Sequence, residues 1–469
     1  MMQFDHETFL SPFTWRYGSK EMRQIWSEHH KRRLMRQVWV ALATAQHEAG
    51  LVTAVQLAEL QQAADRIDLA RAQQIEQETR HDVMAEIRAF AEQCPTAGGI
   101  IHLGATSADI TDNVDVLRIR EAAVLLAERL HTLLLQLAER IEETAELPVM
   151  AFTHIQPAEP TTLGYRLAVY AQDLLENWHD LQHIIHHLRG KGFKGAVGTQ
   201  ASYAELLRET SLTPLEMEAI AMRQLNLEPF PIATQTYTRQ QDLKVVHCLA
   251  RVAASLHKFA LDFRLLQSPL AGEWAEPFGK GQVGSSAMPF KRNPIHTENI
   301  CSLARYVAAL PDVLWQNAAQ AVLERSLDDS ANRRVVLAEA FLATDELLRR
   351  AERVIRGMSL DERAMARTMA RYGPFAATER LLMALVKAGA DRQEAHEWIR
   401  EASLAAWRAL QVGDENPLGS LLAEDERIGR FLSPAEVLAL LDADGYTGTA
   451  VFRARFLAQA VREAVAGEL

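Results

Sequence analysis

Apolar residues recur at intervals of three and four along most of this chain and seldom alternate with polar ones. The longest such run begins near Asp112 and ends before Pro148, with Leu126, Leu130, Leu133, Leu137 and Ile141 on one face. That is the spacing of an amphipathic helix. A second helical stretch lies between Pro160 and Gly190. A third lies between Pro231 and Pro269, where Leu249, Val252, Leu256, Phe259, Phe263 and Leu266 step by three and four, as in a coiled coil. A fourth begins after Pro294. Helices this long take most of their stability from tertiary packing, so the pattern predicts a long bundle shared between subunits.

Shorter segments flank that bundle. Residues 39–49 and 70–92 read as medium helices ahead of it, and residues 376–388 and 392–410 as amphipathic helices after it. No strand-period segment of useful length appears, so the fold class is all-α. Three parts are expected: an N-terminal helical domain over 1–105, a central long-helix domain over 106–356, and a C-terminal helical domain over 357–469.

Composition narrows the function. A length of 469 residues with 48% hydrophobic and 24% charged residues is ordinary for a globular protein. A net charge of −11 argues against a nucleic-acid or anionic-membrane partner, and any anionic ligand must meet cations gathered locally. Cys94, Cys248 and Cys301 lie far apart without CxxC spacing, which speaks for a reducing compartment and against a thiolate metal site. The start, MMQFDHETFLSPFTW, has no basic stretch leading into an apolar run, and no window approaches 18 apolar residues. The expectation is a cytoplasmic protein.

Candidate chemistry sits in polar segments between the helices. Gly284-Ser285-Ser286-Ala287-Met288-Pro289-Phe290-Lys291-Arg292-Asn293-Pro294 follows Gly272, Gly279 and Gly281, and prolines 277, 289 and 294 interrupt it. Neither helix nor strand can run through it. Two hydroxyls, a cation and an amide on such a loop suit a lid over a carboxylate ligand; a plain flexible connector is the alternative. Thr106 and Ser107 sit where a helix starts, either gripping a carboxylate or simply capping. His154, just ahead of a helix start, is read as a general acid or as a structural histidine. Arg325, Ser330 and Arg334 suit a phosphate, or a solvated salt-bridged face. Arg80-His81-Asp82 forms a further polar cluster. His179 and His183 have the i, i+4 spacing of a helical metal pair. With His186 and His187, but with no HExxH pattern, they are expected to form a polar seam between helices, and no metal is expected.

Taken together, GSSAMPFKRNP, RHDVMA, HLGATSADITDN, FTHIQPAEPTT, KGAVGTQASY, QTYTRQQD and ERSLDDSANRR resemble the adenylosuccinate lyases of the fumarase/aspartase superfamily over nearly the whole chain. The resemblance implies β-elimination of fumarate without a cofactor, from adenylosuccinate to give AMP and from SAICAR to give AICAR. It implies Ser285 as base and His154 as general acid. Glu298 would orient that histidine, and His81 would sit beside the reacting atoms. Ser286, Lys291 and Asn293 would hold carboxylates, Thr106 and Ser107 the succinyl end, and Arg16, Tyr17, Arg325, Ser330 and Arg334 the phosphate and ribose. Gln235, Arg80, Asp82 and Asn299, the last at a position where the family carries Arg or Asn, complete the substrate-binding set. It also implies a homotetramer with active sites shared between subunits.

Overall fold

The computed structural model describes residues 6–467; residues 1–5 of the expected N-terminal domain and 468–469 of the expected C-terminal domain lie outside the described residues. The fold is all-α, built on five long helices: Ser107–Glu143, Leu163–His187, Gln240–Gln267, Ile295–Ala319 and Asp328–Gly357. The chain divides into two compact units. The first comprises Met1–Arg129, Asn177–Ala254 and Ser302–Arg349; the second comprises Leu130–Glu176, Ser255–Cys301 and Arg350–Leu469. Strands among the described residues are confined to three two-stranded pieces. No helix of the described residues is long and apolar enough to cross a membrane.

Three stretches depart from the periodicity. The segment over 70–92 is two helices, Leu69–Thr79 and Asp82–Ala91. Arg80 takes the left-handed conformation (φ 52°) and ends the first helix, while the His81 ring caps the second by accepting from the Met84 N–H. Arg80 ends one helix and His81 starts the next through local contacts, which apolar spacing does not register. The third long helix starts only at Gln240. The residues before it form a loop, pinned where the Tyr237 N–H donates to Asp112 at 3.0 Å.

The third departure is a β-hairpin. Pro148–Thr153 and Gln156–Thr162 pair antiparallel, with Thr153 opposite Gln156. The two-residue turn between them is His154-Ile155, both left-handed at φ 53° and 60°, as the tight hairpin turn matching strand twist requires. His154 therefore stands at a hairpin tip, not at a helix start.

In the second unit the hairpin lies on the Glu362–Ala376 helix, and Met150 enters an apolar core with Met369, Leu381, Leu385, Leu418 and Val437. Next to it the Leu163–His187 helix starts against the end of Ser107–Glu143. A Cβ on Gly164 would lie 2.5 Å from the Ile141 carbonyl oxygen, so only glycine fits.

In the first unit, charged side chains are buried between helices. Arg239 donates to Asp112 at 3.1 and 3.3 Å and to Asp329 at 2.6 Å. Arg333 donates to Asp242 at 2.8 Å, to Asp115 at 3.1 Å and to the Tyr237 hydroxyl at 2.9 Å. These bonds bind Ser107–Glu143, Gln240–Gln267 and Asp328–Gly357 together, and each charge has a partner, as burial demands.

Candidate active site

The first unit assembles the cations and polar groups assigned to a nucleotide. Asp329 sits in the first turn of the Asp328–Gly357 helix. Its second oxygen accepts from Arg325 at 2.6 Å, so the buried Arg239 fixes Arg325 through one carboxylate. Burial raises the Asp329 pKa, but Arg239 and Arg325 outweigh it and hold the carboxyl below its ordinary value. Gln235 is brought to the same place, its N–H donating to the Glu324 carbonyl at 3.2 Å. One turn beyond Ser330, Arg334 reaches Asp82 at 2.9 Å and so joins the Arg80-His81-Asp82 cluster. Asp82 thereby acts as a partner of Arg334.

Thr106 and Ser107 are held from below. Buried Asp109 accepts from the Thr106 N–H (3.0 Å), the Lys191 ammonium (2.5 Å), the Tyr203 hydroxyl (3.0 Å), and the backbone N–H groups of Lys194 and Gly195 (3.1 and 3.2 Å). One carboxylate thus ties the Thr106 turn to the KGAVGTQASY loop. His102, left-handed at φ 71°, accepts from the Trp39 indole N–H through Nδ1 at 3.1 Å. That fixes the neutral tautomer with its proton on Nε2, and burial pushes its pKa down.

Arg16 and Tyr17 hang from another helix position. The N–H groups of Gly18 and Ser19 donate to Glu346 and Asp345 at 3.2 and 2.5 Å, and Arg129 pairs with the same Asp345. The Arg16 guanidinium lies 5.7 Å from the Trp15 ring centre and 5.9 Å from that of Tyr17.

The second unit carries the remaining candidates. The segment 276–294 is irregular, as its glycines and prolines require. The Ser285 Oγ accepts from the Ala287 and Met288 N–H groups at 3.3 and 3.1 Å. Two backbone donors aimed at one hydroxyl oxygen favour its anionic form. Asn293 donates to the Gly284 carbonyl at 3.0 Å and so fixes the residue before Ser285. Ser286 and Lys291 are exposed on the loop.

Glu298, in the first turn of Ile295–Ala319, lies 4.0 Å from Arg264. No hydrogen bond or ion pair joins it to the exposed His154 among the described residues. The Asn299 Oδ1 is buried without a hydrogen-bond partner.

The histidines of Leu163–His187 do not form a seam within this chain. His179, His183, His186 and His187 are all exposed, and His183 and His187 stack at 4.1 Å. Among the described residues no group of three or more His, Cys, Asp or Glu is placed to hold a metal.

With this geometry in view, similarity to known proteins defines the class and then the family. The crystal structure of 3-carboxy-cis,cis-muconate lactonizing enzyme from Pseudomonas putida superimposes with a TM-score of 0.84 at 27% identity, covering 96% of this chain and 99% of that one. A family model described as lyase matches residues 15–309, which places the chain in that class of enzymes. A second model, described as adenylosuccinate lyase C-terminus, matches residues 374–453. The adenylosuccinate lyase of Schistosoma mansoni is 38% identical over 90% of this chain and 88% of its own length. That of Saccharomyces cerevisiae is 38% identical over 95% and 93%. The chain belongs to the adenylosuccinate lyase family.

Sequence reasoning missed the groups that hold the candidates in place: Asp109, Lys191, Arg239, Arg333 and Asp329. A signal existed in HLGATSADITDN, QTYTRQQD and ERSLDDSANRR, which contain Asp109, Arg239, Asp329 and Arg333, but nothing local shows which carboxylate each cation meets.

Proposed function

We propose that this chain is an adenylosuccinate lyase that eliminates fumarate from adenylosuccinate, leaving AMP, and from SAICAR, leaving AICAR. The observation that carries this reading is Ser285, whose Oγ lies under two backbone N–H donors on a loop with Lys291. A serine becomes a usable base only where its anion is stabilised.

Ser285 takes the proton from the carbon beside a succinyl carboxylate. The C–H electrons pass into that carboxylate as an aci-dianion, which Ser286, Lys291 and Asn293 stabilise. As the double bond forms, the electrons of the C–N bond leave with the purine-linked nitrogen, and His154 gives that nitrogen its proton. Glu298 orients His154. Thr106 and Ser107 grip the succinyl end, while His81, Gln235, Arg80, Asp82 and Asn299 line the substrate. Arg16, Tyr17, Arg325, Ser330 and Arg334 hold the phosphate and ribose. Acid–base chemistry alone completes the reaction, so no cofactor is needed.

Contributions from several subunits of a cytoplasmic homotetramer fit the wide sequence separation of these clusters and the exposure of His154, His81 and Arg334 in the single chain. Incubation with adenylosuccinate, argininosuccinate and malate in turn, with fumarate as the readout, tests the assignment. Fumarate from adenylosuccinate is expected. Its absence there, or its appearance only from another substrate, overturns the reading.

A further inference from the structure

Gln267, the last residue of the Gln240–Gln267 helix, touches both ends of the loop that bears Ser285. Its Oε1 accepts from the Glu276 N–H at 3.0 Å, and its Nε2 donates to the Arg292 carbonyl at 3.2 Å. The loop residues 277–291 lie between those two contacts. Glu276, itself buried, then caps the next helix: its carboxylate accepts from the His296 N–H at 3.0 Å and from the Thr297 N–H and hydroxyl, each at 2.7 Å. A Cβ on Gly357 would come within 2.8 Å of Pro277, so the chain is also wedged just beyond Glu276.

Inside this neck the loop bonds to itself. Asn293 holds the Gly284 carbonyl, and the Lys291 N–H donates to the Met288 carbonyl at 3.0 Å. A Cβ on Gly284 would fall 2.1 Å from the Lys291 carbonyl oxygen, so the two limbs lie against each other. Among the described residues, the hydrogen bonds of 278–291 stay within the loop and its Asn293 limb. The loop is therefore a self-braced body on a neck, and one glutamine amide closes that neck from both sides.

We propose that Gln267 is a positioning residue for turnover, clasping the neck so that loop closure delivers Ser285 in one orientation. This rests on Ser285 being the base. Proton abstraction needs the Oγ within hydrogen-bond reach of one carbon-bound proton. Residual play at the neck lowers the fraction of closed loops that meet this condition. It leaves the nucleotide-binding cations, which sit on other segments, undisturbed.

Gln267→Leu removes both bonds. Gln267→Glu keeps the acceptor for Glu276 but turns a carboxylate towards the Arg292 carbonyl. With two ordinary hydrogen bonds lost, kcat of Gln267→Leu is expected to fall about tenfold, with KM within about twofold of the wild type. Amide hydrogen exchange over 277–292 should rise in both variants, with Tm unchanged. Gln267→Gly, which also frees the helix end, should be no better than the leucine variant.

Wild-type kcat in Gln267→Leu, a KM rise matching the kcat loss, or unchanged exchange in the loop would each overturn the clasp. Ser285→Ala, assayed alongside, separates the two claims. Turnover surviving in Ser285→Ala refutes the base, whereas a dead Ser285→Ala beside an unaffected Gln267→Leu refutes the clasp alone.

Discussion

Arg334 donates through Nη2 to the Asp82 carboxylate at 2.9 Å, across 252 positions of sequence. The pair sets the first turn of the Asp82–Ala91 helix beside the Asp328–Gly357 helix, with His81 next to it. Burial raises the Asp82 pKa, but Arg334 and Lys31 outweigh it and keep the carboxyl charged. The Arg334 side chain remains 59% exposed, so Asp82 restrains the guanidinium without covering it. Such a cation is pre-aimed at an incoming anion. Arg334→Ala is expected to weaken AMP binding about tenfold or more, the value of a charge-assisted hydrogen bond, while fumarate affinity changes by less than about twofold. Calorimetric titration of each product checks this, and equal losses for the two would contradict a phosphate role.

Ser285 gives the sharpest catalytic expectation. Removing its hydroxyl removes the oxygen that the Ala287 and Met288 N–H groups address. Ser285→Ala should lose about a hundredfold to ten-thousandfold in kcat, the ordinary range for a missing general base, and still bind adenylosuccinate. Equilibrium binding measured beside single-turnover rates separates the two effects. Near-wild-type turnover would move the base elsewhere, with His81 the next candidate.

How much of this was legible depends on how local each cause is. The long helices are written in apolar spacing, because a buried stripe must repeat with the helix, but spacing alone neither marks the start of the third at Gln240 nor separates Asp328–Gly357 from the helix that follows Pro294. The irregular loop around Ser285 was equally plain, since glycine and proline act on their own backbone. The break at Arg80 was hidden because it depends on His81 turning its ring back to the Met84 N–H. The hairpin was hidden too: its turn is His154-Ile155, without the Asn or Gly that announces two left-handed residues, and Pro157 and Pro160 obscure the second strand. Least legible were the buried ions. Arg239 and Arg333 carry no assigned role in the sequence reading, and only the folded chain brings Asp112, Asp242 and Asp329 to them.

Those buried ions carry a stability expectation. Arg239 is 5% exposed and Asp112 2%, and Asp112 takes two of the guanidinium's donors. Asp112→Ala strips the cation of that partner and also leaves the Tyr237 N–H unpaired. A loss of about 3–5 kcal/mol is expected, as for other broken buried pairs. The double variant Asp112→Leu with Arg239→Met leaves no uncompensated cation at that position and should lose less than the sum of the single changes. Urea denaturation of the wild type, Asp112→Leu, Arg239→Met and the double variant closes the cycle. Additive losses would show that the two side chains stabilise the fold independently.

Acidification should act through His102. Its Nδ1 accepts from the Trp39 indole, a bond that only an unprotonated Nδ1 can make, and burial holds its pKa below the ordinary value of 6.5. A lowered histidine pKa means that the unfolded chain takes up the proton first. The stability this contributes is therefore complete above the unfolded value and is lost as pH falls from about 6.5 through the lower folded value. Asparagine can replace His102 with little strain, since it tolerates a φ of 71° and its side-chain oxygen can accept from Trp39. His102→Asn should stay folded at pH 7.5 and show a shallower decline in Tm between pH 7 and pH 5 than the wild type. Thermal unfolding across that range checks it. Parallel curves for the two proteins would mean that the acid sensitivity arises at other groups.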